Sequence, residues 1–217
     1  MKPPPLIDLN CDIGEDESPE GITRDLALLD VVSSVNIACG GHAGSEASMR
    51  RLAAACRDKG VRLGAHPGYE DRVAFGRVEL DIDAASVRRS VAAQVARLVA
   101  IATECGAVVT HVKPHGALYH AAMRRTEIAG RRVEHEAFAD RRYEPDGSLR
   151  SRTLPGAVLD DPALAAAQAR SIARGHGVTL GPGHSLPMDA TTLCIHSDSP
   201  GSLDIAKAVA AAITRVD

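Results

Sequence analysis

Two histidines follow apolar segments that end in turns. His42 comes after the run NIACGG, and His66 ends the run LGAH. A carboxylate from another strand, Asp12 in LIDLNCDIGE, would complete a set of three metal ligands that leaves one position open for water. The same three groups could instead act as acid, base and orienting residue without a metal ion. The residue types indicate an enzyme, and they leave both forms of the site open.

Polar side chains alternate along the first apolar segment. Asp8, Asn10 and Asp12 are two residues apart, so they face the same way on a strand. Polar groups on one side of a buried strand are costly unless they line a hydrated site. Helix capping and turn hydrogen bonds would account for Asp12 or Glu15 alone. We predict a site role for Asp8 or Asp12.

Two later segments repeat the design. In HVKPHGALY, His111, Lys113 and His115 alternate and share a face, and Lys113 could bind a carboxylate or phosphate or stabilise an oxyanion. The alternative is an ordinary surface lysine beside structural histidines. In TLCIHSDSPG, His196 and Asp198 alternate in the same way, although Asp198 could also begin a helix as its cap.

The elements that must position these residues alternate between strand and helix. Apolar patterns predict strands over 6–11, 35–39, 61–65, 108–112, 133–139 and 192–196, and helices over 20–32, 45–59, 83–105, 116–125, 161–174 and 201–216. A hairpin or turn region is predicted over 175–189. Repeated βα units favour a parallel barrel or a doubly wound sheet. We prefer an α/β barrel forming a single domain over 1–217, because polar residues follow nearly every strand.

The composition excludes several classes of protein. A net charge of -3 and only 2% aromatic residues give no basic surface or stacking platform for nucleic acid. The chain has no phosphate-binding GxxxxGK[ST] motif and no GxGxxG motif after a strand. Its five widely spaced cysteines include no CxxC pair, which favours reduced packing residues. Without a signal peptide or a long apolar run, the chain is predicted to be cytoplasmic.

These motifs together resemble one protein family. The matching segments are IDLNCDIGE, NIACGGHAG with SMRR, GAHPGY with FGR, HVKPHGALY, EAFADRRYEPDGSLRSR, PGAV and TLCIHSDSPG. They cover almost the whole chain in order, and HVKPHGALY and FADRRYEPDG are highly specific. The chain resembles the LamB/YcsF lactam-utilisation family, the A subunits of bacterial ATP-dependent 5-oxoprolinase.

The resemblance implies a parallel βα barrel of about seven strands, similar to glycoside hydrolases and deacetylases. It implies opening of the lactam of 5-oxo-L-proline to L-glutamate, coupled to hydrolysis of ATP with Mg²⁺. It also implies partner subunits B and C, and it leaves a homo-oligomer and a divalent metal ion at Asp12, His42 and His66 open. No partner nucleic acid or membrane is expected.

The resemblance suggests catalytic and substrate-binding roles for residues of this chain, which we state as hypotheses. Asp12, with His42 or His66, would position or deprotonate water, while Lys113 and His115 would stabilise the phosphorylated or oxyanionic oxygen. Asp140 and Arg141 would grip the substrate carboxylate and ring N–H, with Arg141 forming a bidentate pair. The remaining candidates for substrate binding are Asp8, Asn10, Glu15, His196 and Asp198.

One segment departs from the family pattern. Between HVKPHGALY and EAFADRR the chain has only residues 120–135, a deficit of about thirty residues, or one βα unit. Two alternatives to the lactam-opening subunit therefore stay open. One is a metal-dependent, deacetylase-like hydrolase that works without ATP. The other is a non-catalytic binding subunit, made plausible by the missing unit.

Overall fold

The computed structural model describes residues 6–124, 134–199 and 201–214. These residues form two compact units, which we treat separately. The first unit comprises residues 12–133, and the second comprises residues 1–11 with 134–217. Strand β1, Asp8–Ile13, runs across the border. The single domain predicted over 1–217 stays a prediction.

The first unit is built on parallel strands in the order β4-β3-β2. These strands are β2 (Ser34–Ala38), β3 (Arg62–His66) and β4 (Val109–Val112). Its helices are α1 (Pro19–Leu28), α2 (Glu46–Lys59), α3 (Ala84–Glu104) and α4 (Gly116–Arg124). Because the strands are parallel, their carboxyl ends lie at one edge of this sheet, where His66 ends β3.

Local capping explains where the helices begin. The Ser45 hydroxyl accepts the backbone N–H of Ser48 at the start of α2, and Asp83 does the same for Ser86 at the start of α3. Gly60 is the C-cap of α2. The predicted start of α2 at Ser45 and its stop at Gly60 are confirmed.

The second unit contains a parallel group of strands in the order β1-β8-β5. They are the first part of β1, β5 (Glu136–Phe138) and β8 (Thr192–Ile195). The predicted hairpin is confirmed by antiparallel β6 (Val178–Gly181) and β7 (His184–Leu186). Helices α5 (Pro162–Ala173) and α6 (Ser202–Ile213) pack against each other.

The core of each unit consists mostly of Ala, Val, Leu and Ile. Strand β2 is buried along its whole length, as expected for a parallel strand that is covered on both faces. All five cysteines are free thiols, and Cys105 alone among them is not fully buried. This confirms their prediction as reduced residues.

The parallel α/β class is confirmed. The described residues contain six parallel strands, where about seven were predicted. Most of the short segment 120–135, namely residues 125–133, lies outside the described residues. The predicted element ends at 125, 133 and 216 lie outside them as well. Closure into a deacetylase-like barrel stays a prediction. In the part of the chain that the structure describes, every helix is too short or too polar to cross a bilayer.

Candidate functional site

Four side chains converge at the carboxyl ends of the strands of the first unit. They are Glu15, His42, His66 and His115, and each offers a ligand atom within 4.8 Å of the others. Glu15 and His42 follow β1 and β2, His66 ends β3, and His115 lies between β4 and α4. We call these four residues the histidine cluster.

Backbone carbonyls fix the ring protons of two of the histidines. His66 Nδ1 lies 2.7 Å from the Lys113 carbonyl oxygen, and His115 Nε2 lies 2.9 Å from the Phe75 carbonyl oxygen. A carbonyl oxygen can only accept, so both of these nitrogens carry hydrogen. In the neutral rings, the other nitrogens then present lone pairs to each other across 3.0 Å. Glu15 Oε1, a third acceptor, lies 3.1 Å from His115 Nδ1.

His42 completes the cluster through its Nε2 atom, which lies 2.9 Å from Glu15 Oε1. Its ring stacks on that of His115, with centroids 3.6 Å apart and an interplanar angle of 5°. Gly68 permits this position, because a Cβ atom there would lie 2.5 Å from His42 Nδ1. Among the described residues that nitrogen has no hydrogen-bond partner.

Burial and hydrogen bonding set the charge states of the cluster. Burial lowers the pKa of His66 to about 3, and it also lowers the pKa of His42. Burial would raise the pKa of Glu15, but the adjacent imidazoles of His115 and His42 hold that pKa well below its usual range. At neutral pH His42 and His66 are therefore neutral and Glu15 is a carboxylate, the forms that bind metal ions.

Asp12 lies beside this cluster and is engaged by other groups. Lys113 Nζ contacts both of its oxygens, at 3.0 and 3.2 Å, and Asn36 Nδ2 donates to Oδ1 at 2.9 Å. Asp12 Oδ2 lies 3.4 Å from His66 Nε2. The Lys113 backbone N–H donates to the Ala65 carbonyl at 2.9 Å, which holds the lysine past the end of β4.

The predicted metal set of Asp12, His42 and His66 stays a prediction, and the geometry favours a different carboxylate. Glu15, which was expected only as a substrate contact, joins the two histidines, and so does His115. Asp12 lies within β1, and its carboxylate forms an ion pair with the Lys113 ammonium. Glu15 lies two residues past the end of the strand. Position beyond a strand end is the signal that Glu15 shares with His42 and His115.

A second polar group lies in the second unit. Buried Asp140 accepts the backbone N–H of His196 at 2.9 Å and its ring Nδ1–H at 3.1 Å. Burial would raise the pKa of Asp140, but His196 brings that pKa below its usual value. The His196 ring stacks near Phe138, with centroids 5.4 Å apart. Asp198 pairs with Arg152 at 3.0 Å and does not cap α6, whose N-cap is Gly201.

Arg141 is occupied by the loop that carries it. Its Nε donates to the Ala157 carbonyl at 3.2 Å and its Nη2 to the Arg150 carbonyl at 2.7 Å. The guanidinium thus stabilises the loop backbone, and this geometry gives no support to the bidentate substrate contact expected of it.

Asp8 and Asn10 belong to a hydrogen-bonded network at the start of the strands of the second unit. The Thr192 hydroxyl donates to Asp8 Oδ2 at 2.7 Å, and Asn10 Nδ2 donates to the Thr192 Oγ1 at 2.8 Å. Asn10 also lies 3.2 Å from Glu136 Oε1. The structure gives these two residues internal partners, and their predicted substrate contact stays a prediction.

Asn36 is a buried polar residue of the first unit that the pattern of strand-end groups does not predict. Its side chain contacts Asp12 and His111, at 2.9 Å in each case. The available signal was a lone amide inside the apolar segment SVNIA of β2.

A cavity of about 440 Å³ lies next to the turn before His42. Its lining residues are Gly40, Gly41, Glu70, Arg72, Ala93, Gln94 and Arg97. None of the histidine cluster lines this cavity. The assignment of the candidate site therefore depends on the converging donor atoms and not on the shape of the cavity.

Known proteins resemble this chain over nearly its whole length. The model of the LamB/YcsF family matches residues 7–134 and 123–217. A protein from Rhodopseudomonas palustris, named as the A subunit of 5-oxoprolinase, is 39% identical, covering 95% of this chain and 94% of its own length. Its namesake from Chloroflexus aggregans is 41% identical over 90% of each chain. The crystal structure of a lactam utilization protein from Thermus thermophilus superposes with a TM-score of 0.85 at 34% identity, covering 98% of this chain and 96% of the other.

The length of the relatives is informative about the predicted deficit. The comparison with the Rhodopseudomonas protein runs over 239 positions, more than the 217 residues of this chain. That relative therefore contains residues without a counterpart here. The two matches to the family meet at residues 123–134, inside the segment 120–135 where the sequence is short.

Proposed function

The chain belongs to the LamB/YcsF family, and on that premise we propose that it is the A subunit of an ATP-dependent 5-oxoprolinase. The observation that carries this proposal is the 39–41% identity to proteins of that name over at least 90% of both chains. The reaction converts 5-oxo-L-proline, ATP and two water molecules to L-glutamate, ADP and phosphate. The designation of the relatives by the letter A supports a complex with further subunits, which we assign as B and C.

ATP makes the ring amide reactive. An amide is a poor electrophile, and transfer of a phosphoryl group to its oxygen exposes the ring carbon to water. Water then bonds to that carbon, the C–N bond breaks, and the nitrogen leaves as an amine after taking a proton. The product of this step is an acyl phosphate, which the second water molecule hydrolyses to L-glutamate and phosphate. We expect ATP with Mg²⁺ to be bound in the assembled complex.

Asp12 and Lys113 are the groups that we assign to this chemistry. The Lys113 ammonium stabilises negative charge on the reacting oxygen, helped by His115. Asp12, whose Oδ2 lies 3.4 Å from His66 Nε2, orients the attacking water and takes its proton. Asp12 and Lys113 form an ion pair at 3.0 Å, which substrate would separate on entering between them.

The histidine cluster has the donor chemistry of a divalent metal site. His66 Nε2, His115 Nδ1 and Glu15 Oε1 are acceptors that face one another within 3.6 Å, an arrangement that a cation relieves. The carbonyl contacts at the far side of two rings fix their tautomers, as is usual for metal-bound histidine. A bound cation would polarise a substrate oxygen or lower the pKa of water.

In the second unit, we assign Asp140 and His196 to substrate binding. Asp140 holds His196 by the Nδ1–H, so that Nε2 is the ring nitrogen left to face a substrate. In the neutral tautomer that nitrogen accepts a hydrogen bond from a substrate N–H. Asp198 remains a candidate through its ion pair with Arg152.

Reconstitution with the partner subunits tests the proposal. The measurement is loss of 5-oxoproline together with release of phosphate from ATP. We expect coupled turnover for the wild type and a loss of at least about 100-fold in kcat for Asp12→Asn and Lys113→Met. Asp58→Asn, on the exposed end of α2, is the matched control and should be fully active. Coupled turnover unchanged in Asp12→Asn would exclude its role.

Metal content is tested separately. Elemental analysis should find about one divalent ion per chain in the wild type and far less in His66→Ala, since a site that loses one of its ligands binds weakly. His184→Ala, in the exposed hairpin, should keep the wild-type content. Metal-free wild type with full activity would contradict a catalytic metal ion.

The donor set also favours a second candidate, a metal-dependent hydrolase that needs no ATP. If this function is correct, the protein should release acetate from an acetylated amino-sugar oligomer without ATP. A metal chelator should abolish that release. A third candidate, a non-catalytic binding subunit, is favoured by the residues that relatives have and this chain lacks. It requires binding of the partner subunits without turnover.

A further inference from the structure

Three residues form one row across the strands of the first unit. Asn36 on β2 is the register partner of Gly64 on β3, and Gly64 is the register partner of His111 on β4. The middle position of the row has no side chain. The outer two side chains can therefore meet above β3.

The contact across this gap is close. His111 Nε2 lies 2.9 Å from Asn36 Oδ1. A Cβ atom at Gly64 would lie 2.3 Å from His111 Nε2, well inside the closest approach of such atoms. The absence of a side chain at Gly64 is therefore a condition for this hydrogen bond.

The direction of each hydrogen bond in the row follows from Asp12. An ionised carboxylate can only accept, so the group of Asn36 that faces Asp12 Oδ1 at 2.9 Å is its NH₂. The amide oxygen then points at His111, and His111 Nε2 must donate to it. The Thr110 hydroxyl lies 2.9 Å from the other ring nitrogen, Nδ1.

We propose that His111 is a positioning residue that acts through Asn36 to orient the Asp12 carboxylate. With its oxygen held by His111, the Asn36 amide cannot flip, and its NH₂ fixes Asp12 Oδ1. Asp12 Oδ2 is thereby directed to the side of His66, 3.4 Å from its Nε2. This inference rests on the catalytic role proposed for Asp12, and it adds His111, Asn36 and Gly64 to the residues on which that role depends.

A pair of substitutions that differ in reach provides the test. His111→Gln places an amide NH₂ near the position of Nε2, whereas His111→Asn is one methylene shorter and cannot reach Asn36. In the reconstituted complex we expect kcat to fall about 10–100-fold in His111→Asn, with KM changed little. His111→Gln should stay within about threefold of the wild type. A purely structural histidine would give equal losses in both variants, and that result would overturn the proposal.

Gly64→Ala tests the same contact from the middle strand. Its added methyl group should displace His111 and reduce kcat about as much as His111→Asn does. The double variant should be no worse than either single variant, since both changes break one hydrogen bond. Gly181→Ala, at a site with nothing within 4 Å, is the matched control and should be fully active. Losses that multiply in the double variant would contradict the shared contact.

The outcomes separate this inference from the proposed function. If Asp12→Asn is inactive while His111→Asn has wild-type kcat, the positioning role is wrong and the function stands. If Asp12→Asn itself is fully active, the premise fails first. Circular dichroism and metal content of each variant should match the wild type, because none of the substituted residues belongs to the histidine cluster.

Discussion

At the scale of single residues, two buried carboxylates of the first unit have pKa values shifted in opposite directions. Burial tends to raise the pKa of both Glu15 and Asp25. Glu15 receives two imidazole contacts and stays ionised. Among the described residues Asp25 accepts a single hydrogen bond, from the Gly14 backbone N–H at 2.7 Å, with Arg24 Nε at 3.7 Å, and burial raises its pKa to about 6. The donors that reach a buried carboxylate thus decide its charge.

Asp25 should make stability depend on pH. Folded protein keeps the Asp25 proton up to about pH 6, whereas the unfolded chain loses it near pH 4. Between these values the folded state binds more protons, so its contribution to the free energy of unfolding falls as pH rises. Asp25→Asn keeps an acceptor for Gly14 without a charge. We expect it to be more stable than the wild type at pH 8, by on the order of 2 kcal/mol, and nearly equal at pH 4.

Urea unfolding of both proteins at pH 4 and pH 8 measures this difference. Other titrating groups are common to the two proteins, so they cancel in the comparison. A variant that is less stable than the wild type at pH 8 would show that the carboxylate contributes favourably in its charged form.

At the scale of elements, local interactions could be predicted and long-range ones could not. The bounds of α2 and α3 agree with the sequence within a residue, because capping groups such as Ser45 and Asp83 act within three residues. Strand β1 begins two residues later than predicted, at Asp8, where its pairing with β8 begins, and it ends two residues later, at Ile13. Helix α1 ends at Leu28, earlier than the predicted residue 32.

The candidate site shows the same division. Strand-end position was enough to predict His42, His66, Lys113 and His115. It could not show that Lys113 reaches Asp12, a contact between residues 101 positions apart. Because the Lys113 ammonium pairs with Asp12, Glu15 is the carboxylate that contacts the imidazoles of His42 and His115. Whether Asp12 or Glu15 contacts the histidines depends on Lys113, which is too far away in the sequence for a local pattern to include it.

The cap of α2 should contribute measurably to stability. Ser45→Ala removes the acceptor of the Ser48 N–H and the contact with Glu17, and we expect it to lower the free energy of unfolding by about 1 kcal/mol. Ser45→Thr keeps the oxygen and should recover most of the loss. Urea unfolding at pH 7 measures both. Equal stability of the alanine variant and the wild type would show that water replaces the cap.

At the scale of the whole molecule, exposed apolar side chains flank β4. Relatives contain residues that this chain lacks, and the two family matches meet just after α4. In parallel sheets both faces are usually covered by helices. Here Val108, just before β4, is 74% exposed, and Val112 at its end is 49% exposed. Apolar side chains on such a face promote self-association.

Replacing these valines should therefore change association and not folding. In Val108→Thr/Val112→Thr the shape and strand preference of both side chains are kept, and little apolar burial is lost. We expect the free energy of unfolding to change by less than about 0.5 kcal/mol, while light scattering at high concentration and binding of a hydrophobic dye fall. Val35→Thr, fully buried in β2, is the contrasting control and should cost at least about 1 kcal/mol. Unchanged scattering and dye binding in the double variant would mean that this face is not where the chain associates.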